Sequence, residues 1–172
     1  GIMFSKNAGV DVYGGDTKGN RKKRVRAAIK KYVRKLLAAG KNVIIIYPIP
    51  EAGWDVPDMM AKQSLARGNI ATLDTSFDMF LQRNADTIQL FASMEHSNLF
   101  HFFPHKFLCS EDTRRCVNAN EDGIYYTDGN HLNNSGARLF SKALARTIRN
   151  VKITHSVQSS ENRGVIVPKR AK

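Results

Sequence analysis

The first strong periodic pattern begins at Asn20, where apolar residues recur at helical spacing. These positions form one stripe opposite a cationic face: Val25, Ala28, Ile29, Tyr32, Val33, Leu36 and Leu37. Residues spaced by three and four positions lie on one side of an α-helix. Asn20 can cap the start of this helix, and Gly40 suits a left-handed stop. The pattern therefore predicts a helix between them, preceded by an irregular N-terminal segment at residues 1–20.

An uninterrupted apolar run, VIIIYPIP, follows the glycine stop. A short run of β-branched residues without alternation is typical of a strand buried on both faces, as in a parallel sheet. Helix, glycine stop and buried strand together indicate an α/β fold. The loop EAGWDVPDMM then lies at the carboxyl end of the strand, where such folds bind ligands. Trp54 in this loop is either a wall of a substrate site or a loop anchor.

The remaining pattern predicts three further helical regions, a second strand and a tail. In chain order they are a helix from Asp55–Pro57 to about Arg67, a helical region from Thr75 to Met94 broken near Arg83–Ala85, a strand at Leu99–Phe103, a helix from Ser135 to Arg149, and a basic polar tail at residues 151–172 with a short strand at Gly164–Val167. Asp55 is a plausible N-cap, and Pro57 is tolerated in a first helical turn.

Composition adds one unusual feature, a formal net charge of +12 in a chain of 172 residues. Nine of the fifteen residues from Arg21 to Lys35 are Lys or Arg, so the first helix carries much of this charge. Such a helix can face water, lie near acidic lipid or glycan, or follow phosphates. Tyr32 is its one aromatic residue, and no zinc-finger or RNP pattern is present, which argues against a dedicated nucleic-acid module.

Two cysteines, Cys109 and Cys116, flank the polar sequence SEDTRR. A pair this close can bridge a short loop if the backbone doubles back. The spacing differs from a C-x-x-C redox motif, and two thiols alone do not form a zinc site. We expect a structural disulfide and hence an oxidising compartment, with two free thiols as the alternative. The spacing of the histidines in HSNLFHFFPH matches no standard metal pattern, so no metal site is predicted.

The segment YYTDGNHLNNSG holds the candidate chemistry. A histidine can take a proton from a hydroxyl nucleophile and return it to a leaving group. To do so, it must present one ring nitrogen to the nucleophile while a hydrogen bond holds the other. A carboxylate three residues earlier can reach that second nitrogen across a tight turn. Asp128 is therefore predicted to orient His131, which is the candidate base.

The block YYTDGNHLNNSGARLFSKAL resembles the last block of the SGNH (GDSL-like) hydrolase superfamily. It is most similar to SGNH domains attached to acyltransferase-3 family membrane proteins, which O-acetylate bacterial surface polysaccharides. AAGKNVIIIYPIPEAGWDVP resembles that subfamily's helix, strand and P-x-P-E loop, and HKFLCSEDTRRC resembles its cysteine pair. The resemblance covers residues 21–150. It implies a flavodoxin-like three-layer α/β/α sandwich with a parallel sheet, and Asp128 and His131 as acid and base of a Ser-His-Asp triad.

The resemblance also implies partners and a location. These are an acyl donor, a glycan acceptor and a membrane acyltransferase domain of the same parent chain. The domain would be periplasmic, in a bacterial inner-membrane protein. No cofactor, metal ion or nucleic acid is implied.

One part of the family pattern is not clearly present, the early G-D-S with the Gly and Asn that complete the oxyanion hole. The nearest sequence is Gly15-Asp16-Thr17, which makes the Thr17 hydroxyl an alternative nucleophile. We favour a polar turn here, because the basic helix follows almost at once. We therefore expect residues 21–150 to be the carboxyl-terminal part of an SGNH domain, with the serine upstream of Gly1. A sheet without its first strands would have an unpaired edge and an uncovered apolar face, so we expect this chain alone to be marginally stable.

Two other functions remain open at this point. A degenerate SGNH module could hold a glycan or a partner without catalysis, in which case His131 would be dispensable. A basic nucleic-acid binder would show salt-sensitive retention through the helix Arg21–Lys35. The sequence favours the acyltransferase or esterase.

Overall fold

The computed structural model describes residues 18–67 and 72–161 of the chain. In these ranges the helices are α1 (Lys18–Ala38), α2 (Val56–Arg67), α3 (Phe77–Ala92), α4 (Asn134–Glu161) and a 3₁₀ turn at Pro104–Phe107. The strands are β1 (Val43–Ile46), β2 (Leu73–Ser76), β3 (Leu99–Phe102), β4 (Cys109–Ser110), β5 (Arg115–Asn120) and β6 (Gly123–Ile124). None of the helices within the described ranges has a stretch long and apolar enough to cross a bilayer.

The two predicted strands, β1 and β3, form a parallel pair. Val43 N–H donates to the Asn98 carbonyl and Tyr47 N–H to the Phe102 carbonyl, each at 2.9 Å. Helices pack on this pair and bury a core of Ile45, Tyr47, Met94 and Leu99. The predicted α/β class with a parallel sheet is confirmed, because crossover helices cover the strands as a parallel pairing requires.

A second sheet, absent from the sequence prediction, is antiparallel. Its order is β2, β5, β4, with β6 also paired to β5. β2 occupies part of the region predicted as helix from Thr75; the helix starts instead at Phe77, where Ser76 Oγ accepts a hydrogen bond from the Met79 N–H at 3.2 Å. The cysteine loop forms the β4–β5 hairpin. Cys109 and Cys116 face each other in this ladder and form the expected disulfide.

Other boundaries confirm or correct the predicted helices. Gly40 has a φ of +69°, and the Gly40 and Lys41 N–H groups donate to the Leu37 and Leu36 carbonyls, so the glycine stop of α1 is confirmed. The start predicted at Asn20 is wrong, because this residue lies inside α1. The break predicted in α3 near Arg83–Ala85 is absent.

The last helix continues past Arg149 to Glu161. The predicted end is wrong because Val151 continues the apolar face of α4 and is buried. The Val151 carbonyl also accepts a hydrogen bond from the Asn42 side chain at 3.3 Å, which ties this part of α4 to the loop before β1. The short strand predicted at Gly164–Val167 lies outside the described residues, as do residues 1–17.

The apolar stripe of α1 is only half covered in the described part of the chain. Ile29, Val33 and Leu37 pack on the core around β1 and β3. Val25, Tyr32 and Leu36, predicted to belong to the same stripe, remain exposed. β1 pairs with β3 on one side only within the described residues. Among the described residues, then, one edge of β1 is unpaired and part of the α1 stripe is uncovered; the expectation of an incomplete sheet stays a prediction.

The N-terminus of α4 packs closely against Ile124 and Tyr125, which lead into the DGNH segment (Asp128–His131). The Asn133 side chain donates to the Ile124 carbonyl at 2.7 Å and accepts from the Gly136 N–H at 2.9 Å, so it caps the helix and ties it to β6. A Cβ atom added at Gly136 would lie 2.2 Å from the Tyr125 carbonyl oxygen. Only glycine allows this approach.

We therefore predict that Gly136→Ala lowers the free energy of unfolding by about 1–3 kcal/mol, because a backbone oxygen must move to make room. The measurement is the urea midpoint followed by circular dichroism. Ser135→Ala is the matched control: Ser135 is exposed in the same helical turn, and alanine favours helix. Equal midpoints for the two variants would show that the helix is not held against Tyr125.

Candidate active site

The DGNH segment forms a closed turn between β6 and α4. The Thr127 N–H donates to the His131 carbonyl at 2.9 Å, and the Asn133 N–H donates to the Tyr125 carbonyl at 3.0 Å. Tyr126 and Leu132 add an isolated antiparallel bridge. The backbone therefore pairs with itself on both sides of the turn and fixes residues 128–131 at its tip.

Backbone contacts hold this turn against the loop that follows β1. The Gly129 carbonyl accepts hydrogen bonds from the Ala52 and Gly53 N–H groups at 2.9 and 3.1 Å. A Cβ atom at Gly129 would lie 3.1 Å from the Trp54 carbonyl oxygen, so glycine permits the close approach. The turn is thus placed at the carboxyl end of β1, where α/β sheets bind ligands.

Asp128 and His131 are brought together at the tip of the turn. Asp128 Oδ2 lies 2.8 Å from His131 Nδ1. Asp128 Oδ1 accepts two backbone hydrogen bonds, from the Asn130 and His131 N–H groups, each at 2.8 Å. An ionised carboxylate can only accept hydrogen bonds, so the proton of a neutral His131 is on Nδ1. This tautomer leaves Nε2 with a lone pair.

The hydrogen bonds around Asp128 keep it ionised. The N–H groups of Asn130 and His131 and the His131 ring together lower the pKa of Asp128 from 3.8 to about 2, with the Asn130 bond as the largest cause. Asp128 therefore remains a carboxylate across the neutral and mildly acidic range. It can hold the imidazole in place and stabilise its charged form.

His131 is open to an approaching group. Its side chain is 73% exposed, and in the described ranges no group hydrogen-bonds to Nε2. The two side chains chosen from the sequence therefore face each other and are accessible, which is the geometry that an acid–base pair requires. No serine or threonine hydroxyl of residues 19–67 and 72–151 hydrogen-bonds to this imidazole. Thr17 lies outside these residues.

Tyr126 and Pro50 strengthen the junction and were not identified from the sequence. Tyr126 is buried, and its hydroxyl donates to the Pro50 carbonyl at 2.6 Å. Burial raises the pKa of Tyr126 to about 12, so the hydroxyl stays protonated and remains a donor. The available signals were the aromatic pair YY directly before TDGNH and the prolines that end β1.

A cavity of about 240 Å³ lies beside the turn. Its polar lining includes Glu51, Arg83, Asn84 and Arg115, and Trp54 forms an aromatic part of the wall. Trp54 is thus part of a cavity wall, while its backbone packs on Gly129. Arg83 and Asn84 were missed from the sequence, because nothing in the α3 pattern links them to a loop thirty residues earlier. No group of three His, Cys, Asp or Glu side chains able to hold a metal occurs in the part of the chain that the structure describes.

Comparisons with known proteins identify a family and a similar fold for this chain. A family model described as an SGNH domain fused to AT3 domains matches residues 3–146. A search of curated proteins finds no match. Among solved structures, the periplasmic domain of a lipopolysaccharide acetyltransferase from Salmonella ser. Paratyphi A is similar, with a TM-score of 0.50 and 20% identity.

The alignment with that structure covers 74% of this chain and 50% of the Salmonella domain, so the match spans about half of its length. At this identity the likeness shows the fold, a mixed α/β arrangement with parallel strands. The resemblance found in the sequence is confirmed by the family model, which extends over most of the chain. The protein therefore belongs to the family of SGNH domains that are fused to AT3 domains.

Proposed function

We propose that the protein is an SGNH-type O-acyltransferase or esterase domain that acts on hydroxyl groups of cell-surface polysaccharide. One observation supports this most directly. In a chain of the SGNH family, Asp128 holds Nδ1 of His131 at 2.8 Å and leaves Nε2 exposed and unpartnered among the described residues. A dyad in this state is ready to take a proton from a hydroxyl group.

The proposed reaction has two half-reactions, and His131 Nε2 transfers the proton in both. In the first, a serine hydroxyl gives its proton to His131 Nε2 as its oxygen attacks the acyl carbonyl, and the departing group takes that proton from the imidazolium. The product is an acyl-serine ester. In the second, a sugar hydroxyl, or water, gives its proton to Nε2 and attacks the ester, and the serine oxygen takes the proton back. Asp128 stays ionised and stabilises the imidazolium in both.

The serine and the oxyanion donors are proposed to come from a segment upstream of Gly1. The spacing of the family's motifs supports this, since the G-D-S block lies well before the basic helix in the resembling proteins, whereas Thr17 is followed almost at once by that helix. No hydroxyl of the described residues is bonded to the imidazole, which agrees with a nucleophile supplied from elsewhere. Thr17 remains the alternative nucleophile within the chain.

A periplasmic location and a membrane acyltransferase partner in the same parent chain complete the proposal. The description of the family as fused to AT3 domains supports the partner. The Cys109–Cys116 disulfide supports an oxidising compartment. The acyl donor would then arrive through the membrane part, and the acceptor would be a glycan.

A second candidate is a degenerate SGNH module that binds a glycan or partner without catalysis. The absence of a bonded hydroxyl at His131 among the described residues is the observation that favours it. The two functions differ in whether His131 is needed.

In the parent protein, His131→Ala should lower kcat for O-acylation by about 10²–10⁴-fold, because the proton acceptor is lost. Asp128→Asn should lower kcat strongly with KM little changed, because it no longer holds the productive tautomer. His96→Ala, the same chemical change in the turn before β3, is the control. Wild-type transfer by His131→Ala would favour the non-catalytic module.

The 172-residue chain by itself should not turn over p-nitrophenyl acetate above the buffer rate, because no hydroxyl of residues 19–67 and 72–151 is hydrogen-bonded to His131. Turnover that is lost in Thr17→Ala would contradict this expectation. It would assign the nucleophile to Thr17 instead of an upstream serine.

The lowered pKa of Asp128 has a measurable consequence. A depressed carboxyl pKa stabilises the fold above the ordinary pKa of 3.8, and this stabilisation is lost as the pH falls towards about 2. At pH 3.8 the Asp128 carboxyl should therefore be almost fully ionised in ¹³C NMR spectra of the folded protein. In His131→Ala its pKa should rise, because one of its hydrogen bonds is removed. Half protonation at pH 3.8 in the wild type would contradict the hydrogen-bond pattern.

A further inference from the structure

The cavity beside the turn has an unusual set of free polar groups. We name it the Trp54 cavity, lined by Glu51, Trp54, Arg83 and Asn84 among others, with a volume of about 240 Å³. Arg83 and Glu51 are both exposed, and in the described part of the chain neither makes a hydrogen bond or ion pair. On the same wall, Arg115 is already paired with Asp74, by an Nε–Oδ1 hydrogen bond of 2.9 Å.

The Trp54 cavity and the Asp128–His131 turn share one loop. The N–H groups of Ala52 and Gly53 hold the Gly129 carbonyl. On its other side this loop faces α3, since a Cβ atom at Gly53 would lie 3.9 Å from Arg83 Nη1. A ligand in the cavity would therefore lie next to the residues that fix the position of His131.

Together, these polar groups offer hydrogen-bond donors and acceptors and carry no net charge. Arg83 presents guanidinium donors and Glu51 presents carboxylate acceptors. Asn84 donates to the Phe80 carbonyl at 3.0 Å, which leaves its side-chain oxygen as an acceptor. The positive and negative charges of Arg83 and Glu51 cancel. This balance favours a neutral ligand with several hydroxyl groups. Glu51 would repel an anion, and an acyl chain would remove water from both charged side chains without replacing their hydrogen bonds.

The aromatic wall and the size of the cavity further restrict the class of ligand that fits. Trp54 is 38% exposed and offers a flat apolar face with a polar N–H. Sites for drug-sized ligands are larger, at about 300–1,000 Å³. We propose that the Trp54 cavity binds one hexopyranose unit of the acceptor glycan, with the sugar ring against Trp54 and its hydroxyl groups between Arg83 and Glu51. This inference rests on the proposed function for the role of the sugar as acceptor, but binding itself does not require turnover.

The test uses Trp54 as its own reporter, because it is the single tryptophan of the chain. The 172-residue protein is titrated with methyl α-glycosides of D-glucose, D-mannose, D-galactose and L-rhamnose, and its fluorescence is followed. At least one sugar should give a saturable change in Trp54 fluorescence. Arg83→Ala and Glu51→Gln should each raise the Kd for that sugar at least tenfold. Arg146→Ala, which removes an exposed arginine from α4, should leave the Kd unchanged.

Saturation-transfer difference NMR of the same four glycosides on the full-length parent gives a second measurement that does not depend on the isolated chain remaining soluble. The expected result is transfer to the ring protons, which is reduced in Arg83→Ala and Glu51→Gln and unchanged in Arg146→Ala. Absence of saturable binding in both measurements would overturn the inference, as would unchanged binding in the cavity variants. Saturation by sodium acetate in place of the sugars would also overturn it and identify an anion site.

His131→Ala separates this inference from the proposed function. This variant should bind the sugar with the wild-type Kd, because His131 is not part of the cavity lining. Sugar binding in a parent protein that transfers no acyl group would support the cavity and count against the enzyme. Acyl transfer to glycan that is insensitive to Arg83→Ala and Glu51→Gln would support the enzyme and overturn the cavity's role.

Discussion

Three hydrogen bonds join the DGNH turn and the nearby Tyr126 to the loop that follows β1, and they position the candidate site. Two run from the Ala52 and Gly53 N–H groups to the Gly129 carbonyl, and the third runs from the Tyr126 hydroxyl to the Pro50 carbonyl. Each joins segments more than seventy residues apart in sequence. Tyr126 also packs with Ala52 and Val56 in one buried cluster, which reinforces the same junction. The position of the dyad over the parallel strands, and beside the Trp54 cavity, therefore depends on this junction.

Two ionisable groups in this region are held in their working states by opposite physical causes. Asp128 is exposed, and direct hydrogen bonds to its oxygens lower its pKa to about 2, so it remains charged. Tyr126 is buried, and loss of solvent raises its pKa to about 12, so it remains neutral and can donate to Pro50. The first arrangement orients His131, and the second positions the turn that carries it. Because neither pKa lies near neutral pH, Asp128 and Tyr126 keep their protonation states in the range where an imidazole acts as a base.

The parts of this structure that sequence could predict are those set by local chemistry. The Gly40 stop follows from one residue's backbone freedom, β1 from an uninterrupted β-branched run, and the pairing of Asp128 with His131 from a three-residue spacing across a turn. The antiparallel sheet could not be predicted in the same way. The polar sequence LDTS of β2 is stabilised as a strand by pairing with β5, forty residues later, and not by its own pattern. The same holds for Arg83, whose relation to Gly53 exists only after α3 has packed.

Under the proposed function, one added strand would account both for the free edge of β1 and for the lack of a hydroxyl bonded to His131 among residues 19–67 and 72–151. Val25, Tyr32 and Leu36 are exposed on α1, and β1 is paired on one side only within the described residues. A parallel strand added at the free edge of β1 would cover this face, and it would end at the same edge of the sheet as β1. That edge carries the loop that holds Gly129 and therefore lies next to His131. Under the proposed function, the strand that stabilises the sheet would also bring the serine at its carboxyl end to the imidazole, so stability and activity would be gained together.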